Sequence, residues 1–213
     1  MKIVPAGAWY SEPEVLADAP TLIVMDGVLD DAERETILGL FSDEAFVEAE
    51  ADYYRFDHRG FVAELVAERH PLLASVAGRL EQILQRRSAT CATLRFRYYA
   101  PGQGHPAHVD TYTADGVTLG ISALVCLKAP EAGGETQFPL ARPEPVSVQH
   151  RAGRLIAWNS TLPDGASEPA SRHEGSAVAE GSKCVLLAFL YLRPEEHAVP
   201  LRLRRVGSAD PRP

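Results

Sequence analysis

Apolar positions in this chain follow one period up to about residue 87 and another after about residue 90. From 29 to 87 the spacing is helical. The stretch "LDDAERETILGLF" (29–41) offers Asp30 or Asp31 as an N-cap and sets Ile37, Leu38, Leu40 and Phe41 on one side. "GFVAELVAERH" (60–70) and "PLLASVAGRLEQILQ" (71–85) continue the pattern, and Pro71 opens the second of these helices. Ahead of them, "TLIVMDG" (21–27) predicts a short strand.

Beyond residue 90 short strands alternate with Gly and Pro turns. The candidates are "CATLRFRYY" (91–99), "VTLGISALVCLK" (117–128), "ETQFP" (135–139), "EPVSVQ" (144–149), "RLIAWNS" (154–160), "KCVLLAFLYL" (183–192) and "LRLRRV" (201–206). Many strands without intervening helices predict an α+β, mainly β domain: an antiparallel sandwich or barrel with the earlier helices on one outer face. The strand at 92–99 divides cleanly. Ala92, Leu94, Phe96 and Tyr98 share one side and would meet the helices. Thr93, Arg95, Arg97 and Tyr99 share the other, which either lines a chamber or faces water.

Size and composition narrow the class. A chain of 213 residues, 46% hydrophobic and 23% charged, suits a single globular unit. We expect residues 1–88 to supply a strand and helices, 89–206 the β core, and 207–213 a frayed tail. A net charge of −8 argues against a nucleic-acid partner. The longest apolar run, 184–192, is about half of what a membrane-crossing helix needs, and the first residues lack a signal-like apolar core. A cytoplasmic protein with no membrane partner is the expectation. Cys91, Cys126 and Cys184 are odd in number and sit among apolar neighbours, so they read as reduced core thiols.

The chemistry begins at "GHPAHVDTY" (104–112), which reads as an extended strand. His108 and Asp110, two apart, then project from the same face. Buried without a partner they would be costly, and a metal ion shared with a third ligand removes that cost. His173 in "PASRHEGSAVAEGSK" is the best third ligand. His58, His70, His105, His150 and His197 fit better as surface or cap residues. Lys183 begins a strand whose inward set is Lys183, Val185, Leu187, Phe189 and Tyr191. A lysine aimed inward needs an anion, unless it sits at the strand edge and reaches back to water.

The order His108-x-Asp110, His173, Lys183 resembles the Fe(II)- and 2-oxoglutarate-dependent oxygenases, specifically the prolyl 4-hydroxylase-like group. "YAPGQGHPAHVD" (99–110) is similar to that group's Tyr-x-x-Gly lead into His-x-Asp, and "GGETQFP" (133–139) to its Gly-Gly-Glu-Thr-x-Phe-Pro turn and strand. "AGRLIAWNSTLPDGASEPASRHEGSAVAEGSK" (152–183) follows its remaining landmarks in order. The resemblance covers about 93–192 and implies a double-stranded β-helix, or jelly roll, with buttressing helices. It implies Fe(II) held by His108, Asp110 and His173, and 2-oxoglutarate held by Lys183 with a hydrogen bond from Tyr99. It also implies O2 as oxidant, with ascorbate as a candidate reductant. Because the carboxylate ligand Asp110 is present, the implied outcome is hydroxylation of an unactivated C–H bond, with succinate and CO2 as coproducts. The substrate would be prolyl or amino-acid-like, peptidyl or small.

Other readings stay open at this level. The barrel could bind oxygen or 2-oxoglutarate without turnover as a regulatory module, or act on a natural-product small molecule. A metal-dependent cupin-type isomerase, or a dioxygenase without cosubstrate, fits less well, given Lys183 and "GGETQFP". Arg95, Arg97, Trp158 and Asn159 lie near the expected mouth and equally suit packing or ion pairing. "TYTADGVT" (111–118) is either a lid or an ordinary hairpin. Oligomeric state has no signature here.

Overall fold

The protein is described by a computed structural model covering residues 1–4, 12–57, 60–85, 93–114 and 116–202. His58, Cys91, Ala92, most of "LRLRRV" and the 207–213 tail lie outside the described residues. Three short strands come first: β1 (Lys2–Val4), β2 (Glu14–Ala17) and β3 (Leu22–Met25). Helices α1 (Asp31–Ser42) and α2 (Glu44–Glu50) follow, then the antiparallel pair β4 (Tyr53–Asp57) and β5 (Gly60–Val66), then α3 (Pro71–Ile83). The remainder is strand: β6 (Thr93–Tyr99), β7 (His105–His108), β8 (Thr113–Ala114), β9 (Val117–Lys128), β10 (Ala132–Gly133) and β11 (Thr136–Phe138). It ends with β12 (Val146–Val148), β13 (Leu155–Asn159), β14 (His173–Gly175), β15 (Val178–Glu180) and β16 (Lys183–Leu192).

Two sheets face each other in a jelly-roll arrangement. The larger runs β2-β3-β13-β9-β16-β6-β5-β4 with β8 beside β9, and the smaller runs β1-β12-β11-β14-β7. Alternation along three central strands builds two cores at once. Ile121, Ala123 and Val125 of β9, Leu155 and Ala157 of β13, and Leu186, Ala188 and Leu190 of β16 pack toward the helices. Leu124, Ile156, Trp158 and Val185, the residues between them, pack inward with Phe138, Val146 and Val148 of the small sheet. Burial on both faces explains why β16 reads as a continuous apolar run.

The helices form as their sequence dictates. Asp30 caps α1 in a full capping box with Glu33, and α1 buries Ile37 and Phe41. Pro71 opens α3, which buries Leu73, Val76, Ala77, Leu80 and Ile83 at helical spacing. Phe41 stacks on Phe96 of β6, 4.2 Å between ring centroids, so Leu94, Phe96 and Tyr98 meet the helices as the strand pattern predicts. A buried Arg154–Asp26 pair, Nε to Oδ1 2.8 Å, ties the start of β13 to the end of β3.

One element differs from expectation. "GFVAELVAERH" is not a helix: residues 60–66 form β5, and only Ala67–Arg69 take a 3-10 turn. Seven residues are too few to separate the two periods, and tertiary pairing decides. β5 lies against β6, where Glu64 faces Arg95 and forms an ion pair with it. Among the described residues no helix is long and apolar enough to cross a membrane.

Candidate functional site

Sheet register brings the two histidines together. β14 pairs with β7 so that His173 lies directly opposite His108, with ring centroids 4.3 Å apart. β7 is the edge of its sheet, which tolerates Pro106 within the strand. The strand predicted over 104–112 is shorter than expected. It ends at His108, and Asp110 stands just past it in irregular chain. Asp110 still reaches both imidazoles: Oδ1 is 3.3 Å from His108 Nε2, and Oδ2 is 3.8 Å from His173 Nε2. One ligand atom from each residue falls within 4.8 Å of the others. Atoms ~2.1 Å from a shared ion and at right angles would be ~3 Å apart, so the set fits a divalent cation.

Backbone contacts fix which nitrogens face inward. His108 Nδ1 lies 2.9 Å from the Pro106 carbonyl, and His173 Nδ1 lies 2.9 Å from the Ser171 carbonyl. Each Nδ1–H donates there, leaving the Nε2 lone pair for a metal. The electrostatics agree. Burial holds the His173 imidazole below its usual range, with Asp110 offsetting only part of that. At Asp110, burial is outweighed by the hydrogen bond from His108, the charge of His173 and the hydrogen bond from Ser122, so the carboxyl stays ionised. At His108, burial is likewise outweighed by Asp110, and the pKa ends above the ordinary value. A metal ion would displace that shared proton.

The opposite sheet holds the carboxylate in place. Ser122 Oγ, on β9, donates to Asp110 Oδ2 at 2.7 Å and lies 2.9 Å from Ser160 Oγ. Ser122→Ala is expected to keep the fold and weaken Ni(II) binding about tenfold, read as a dissociation constant. An unchanged constant would mean the loop alone fixes Asp110.

A cavity of about 180 Å³ opens beside His108 and His173. Leu124, Trp158, Val185, Leu187 and Phe189 give it apolar walls, while Tyr99, Thr136 and Lys183 supply polar groups. Trp158 is 1% exposed, packs 4.7 Å from the His173 ring, and keeps a buried Nε1 with no hydrogen-bond partner among the described residues. Lys183 is 3% exposed and so does not reach back to water. It stands opposite Tyr99 in the β16–β6 ladder, its Nζ 4.8 Å from the Tyr99 ring centroid and donating to the Gly134 carbonyl at 2.8 Å. Gly133 and Gly134 both have positive φ, and a Cβ on Gly133 would lie 2.5 Å from the Ala177 carbonyl oxygen. That accounts for the paired glycines of "GGETQFP". Burial pushes Lys183 down to about 8, against the opposing pull of Cys126 and Glu135. Among the described residues no carboxylate lies within 4.0 Å of its Nζ. A larger cleft, about 720 Å³ and lined by Phe41, Phe56, Phe61 and Phe96 among others, lies on the helical side, away from the triad.

Several residues sit elsewhere than their sequence context suggests. His150 is buried, 3.0 Å from Thr136 Oγ1, and kept neutral by burial together with the charges of Lys183 and Arg154. His197 is buried against Thr161. His105 lines the cavity with its ring 4.4 Å from that of His108. Residues 113–114 pair with 117–118, so the 111–118 segment contains a short hairpin. Cys126 and Cys184 are buried free thiols pushed up by burial to about 12 and about 11, as core cysteines should be. Ser122 was the site residue least visible in sequence. Its one signal is being the lone hydroxyl in the apolar stretch 119–127.

A scan of protein-family models finds no match to this chain, and neither does a search of curated proteins. Solved structures do match. A viral collagen prolyl hydroxylase from Paramecium bursaria Chlorella virus 1, in complex with 2-oxoglutarate, superposes with TM-score 0.63 at 18% identity, over 83% of this chain and 98% of that one. HygX from Streptomyces hygroscopicus, with nickel and 2-oxoglutarate bound, gives 0.52 at 14% identity, over 83% and 84%. A Trichoplax adhaerens prolyl hydroxylase, in complex with a hypoxia-inducible-factor peptide fragment, gives 0.56 at 14% identity, over 85% and 87%. At such identities the likeness establishes a common fold, the jelly roll of these proteins.

Proposed function

We propose that this protein is an Fe(II)- and 2-oxoglutarate-dependent dioxygenase that hydroxylates an unactivated C–H bond of a prolyl or amino-acid-like substrate. The observation that carries this is the meeting, around one cavity, of a His-Asp-His donor set and a buried lysine with no carboxylate partner among the described residues. A protein that binds metal alone has no need of the lysine, and one that binds an acid alone has no need of the triad. The shared fold with proteins that hold 2-oxoglutarate, one of them with nickel, supports the same reading.

In this reading His108 and His173 would hold Fe(II) through neutral Nε2 atoms and Asp110 through an ionised carboxylate. Iron held there would supply activation of O2, for a reaction whose balance is one oxygen atom to the substrate, one to succinate, and loss of CO2 from 2-oxoglutarate. Lys183 pairs with the distal carboxylate of 2-oxoglutarate, and Tyr99 donates a hydrogen bond to it. Trp158, Leu124 and Phe189 keep the surroundings dry. Residues 89–206 are the catalytic core, with 1–88 as its buttress.

The test is direct. Purified protein given Fe(II), 2-oxoglutarate and ascorbate is expected to form succinate slowly, and faster with a matching amino acid or prolyl peptide, yielding a product one oxygen heavier by mass. Absence of 2-oxoglutarate binding by calorimetry in the metal-loaded protein would refute the assignment.

A further inference from the structure

Among the described residues three cations line the cavity, Lys183, Arg97 and Arg95, and the cosubstrate of the proposed reaction accounts for the first. The second is Arg97. It lies on β6 two residues before Tyr99, opposite Val185 on one side and Val62 on the other, and lines the same cavity. Its neighbour Arg95 also faces inward, but Glu64 takes that charge and the guanidinium lies 5.0 Å from the Phe189 ring centroid. For Arg97 no carboxylate comes within 4.0 Å among the described residues. Its side-chain hydrogen bond goes to Tyr99, and the charges of Arg95 and Arg55 act against its own.

This arrangement is costly as it stands. A guanidinium partly withdrawn from water needs an anion, and arginine, unlike Lys183, has no accessible neutral form to relieve the cost. Tyr99 touches both cations. Lys183 faces Cys126 and Glu135, whereas the Arg97 charge acts on His108 at the metal end. An anion on Arg97 would therefore sit toward the reacting centre, on the tyrosine that Lys183 also packs against.

We propose that Arg97 is the receptor for a carboxylate of the substrate, so that the substrate is a free acid of amino-acid type and not an internal residue of a peptide; this rests on the function proposed above. A guanidinium fork grips a carboxylate through two parallel hydrogen bonds. It would fix which carbon the substrate turns toward the metal.

The experiment uses the full-length protein loaded with Ni(II) and saturated with 2-oxoglutarate. L-Proline and L-prolinamide, then the other common L-amino acids as acid–amide pairs, are titrated by calorimetry. At least one acid is expected to bind about 10- to 100-fold more tightly than its amide. Arg97→Gln should erase that preference while leaving the amide within twofold, and Arg97→Lys should keep part of it. The inference is overturned if no acid outbinds its amide, or if Arg97→Gln leaves the preference intact. It is also overturned if Arg97→Gln weakens 2-oxoglutarate as much as Lys183→Met does, since Arg97 then serves the cosubstrate. Repeating the titrations with Ni(II) alone reads the Arg97 effect even if 2-oxoglutarate does not bind, which keeps the two proposals separately refutable.

Discussion

Loss of any one of His108, Asp110 or His173 is expected to abolish succinate formation and to cut Ni(II) affinity by more than the roughly 10- to 100-fold that losing a supporting hydrogen bond costs. In the proposed site three protein ligands would hold the ion, so removing one would leave two, with water in place of the lost ligand. The substitutions differ in side effects. His173 is 7% exposed and packs on Trp158 and Phe138, so alanine there also opens a cavity. His173→Gln and Asp110→Asn fill the same space and separate ligation from packing. Melting temperature should move by a few degrees at most while metal binding is lost. Metal affinity should also fall as pH drops, because His108, raised by Asp110, must release its proton first. Undiminished turnover in all three single variants would remove the triad from the mechanism.

Much of this site is written in the chain, though unevenly. Alternation in β6 and β16 placed Tyr99 and Lys183 on inward faces, and pairing then set them directly opposite each other. The N-cap at Asp30 and the Pro71 start of α3 are local signals and appear as read. Local signals fail where pairing decides. The edge strand β4, "YYRFD", and the strand β5 beside it are held by the β6 ladder and carry too few residues to declare a period. The three-residue β14 is defined by its two neighbours in the sheet. Nothing in spacing alone links His108 to His173, sixty-five positions on; that link came from a motif resemblance, and the cross-strand register supplies its physical cause. His150 stands between a strand and a Gly turn, where exposure is the ordinary expectation, yet the sheet folds it inward onto Thr136.

Replacing Lys183 by methionine should raise the 2-oxoglutarate requirement about 100-fold while leaving Ni(II) affinity within a fewfold of the parent, since in the proposed site the lysine would touch cosubstrate and not metal. Methionine keeps the length of the buried stem, which alanine at the same place would remove. The sign of the pH effect follows from burial. The free site pushes Lys183 down to about 8 from about 10.5. Below pH 8 the ammonium is charged in both folded and unfolded chains, and its burial costs the fold about 3 kcal/mol. That cost fades as pH rises from 8 to 10.5, so Lys183 by itself makes the ligand-free protein more stable across this window. Binding runs the other way. The carboxylate needs the ammonium, so above pH 8 the dissociation constant for 2-oxoglutarate should rise toward tenfold per pH unit. In Lys183→Met both slopes should vanish together. A stability slope lost without the binding slope would show a buried lysine that serves the fold alone, and a binding slope surviving the substitution would transfer the anchor to another group.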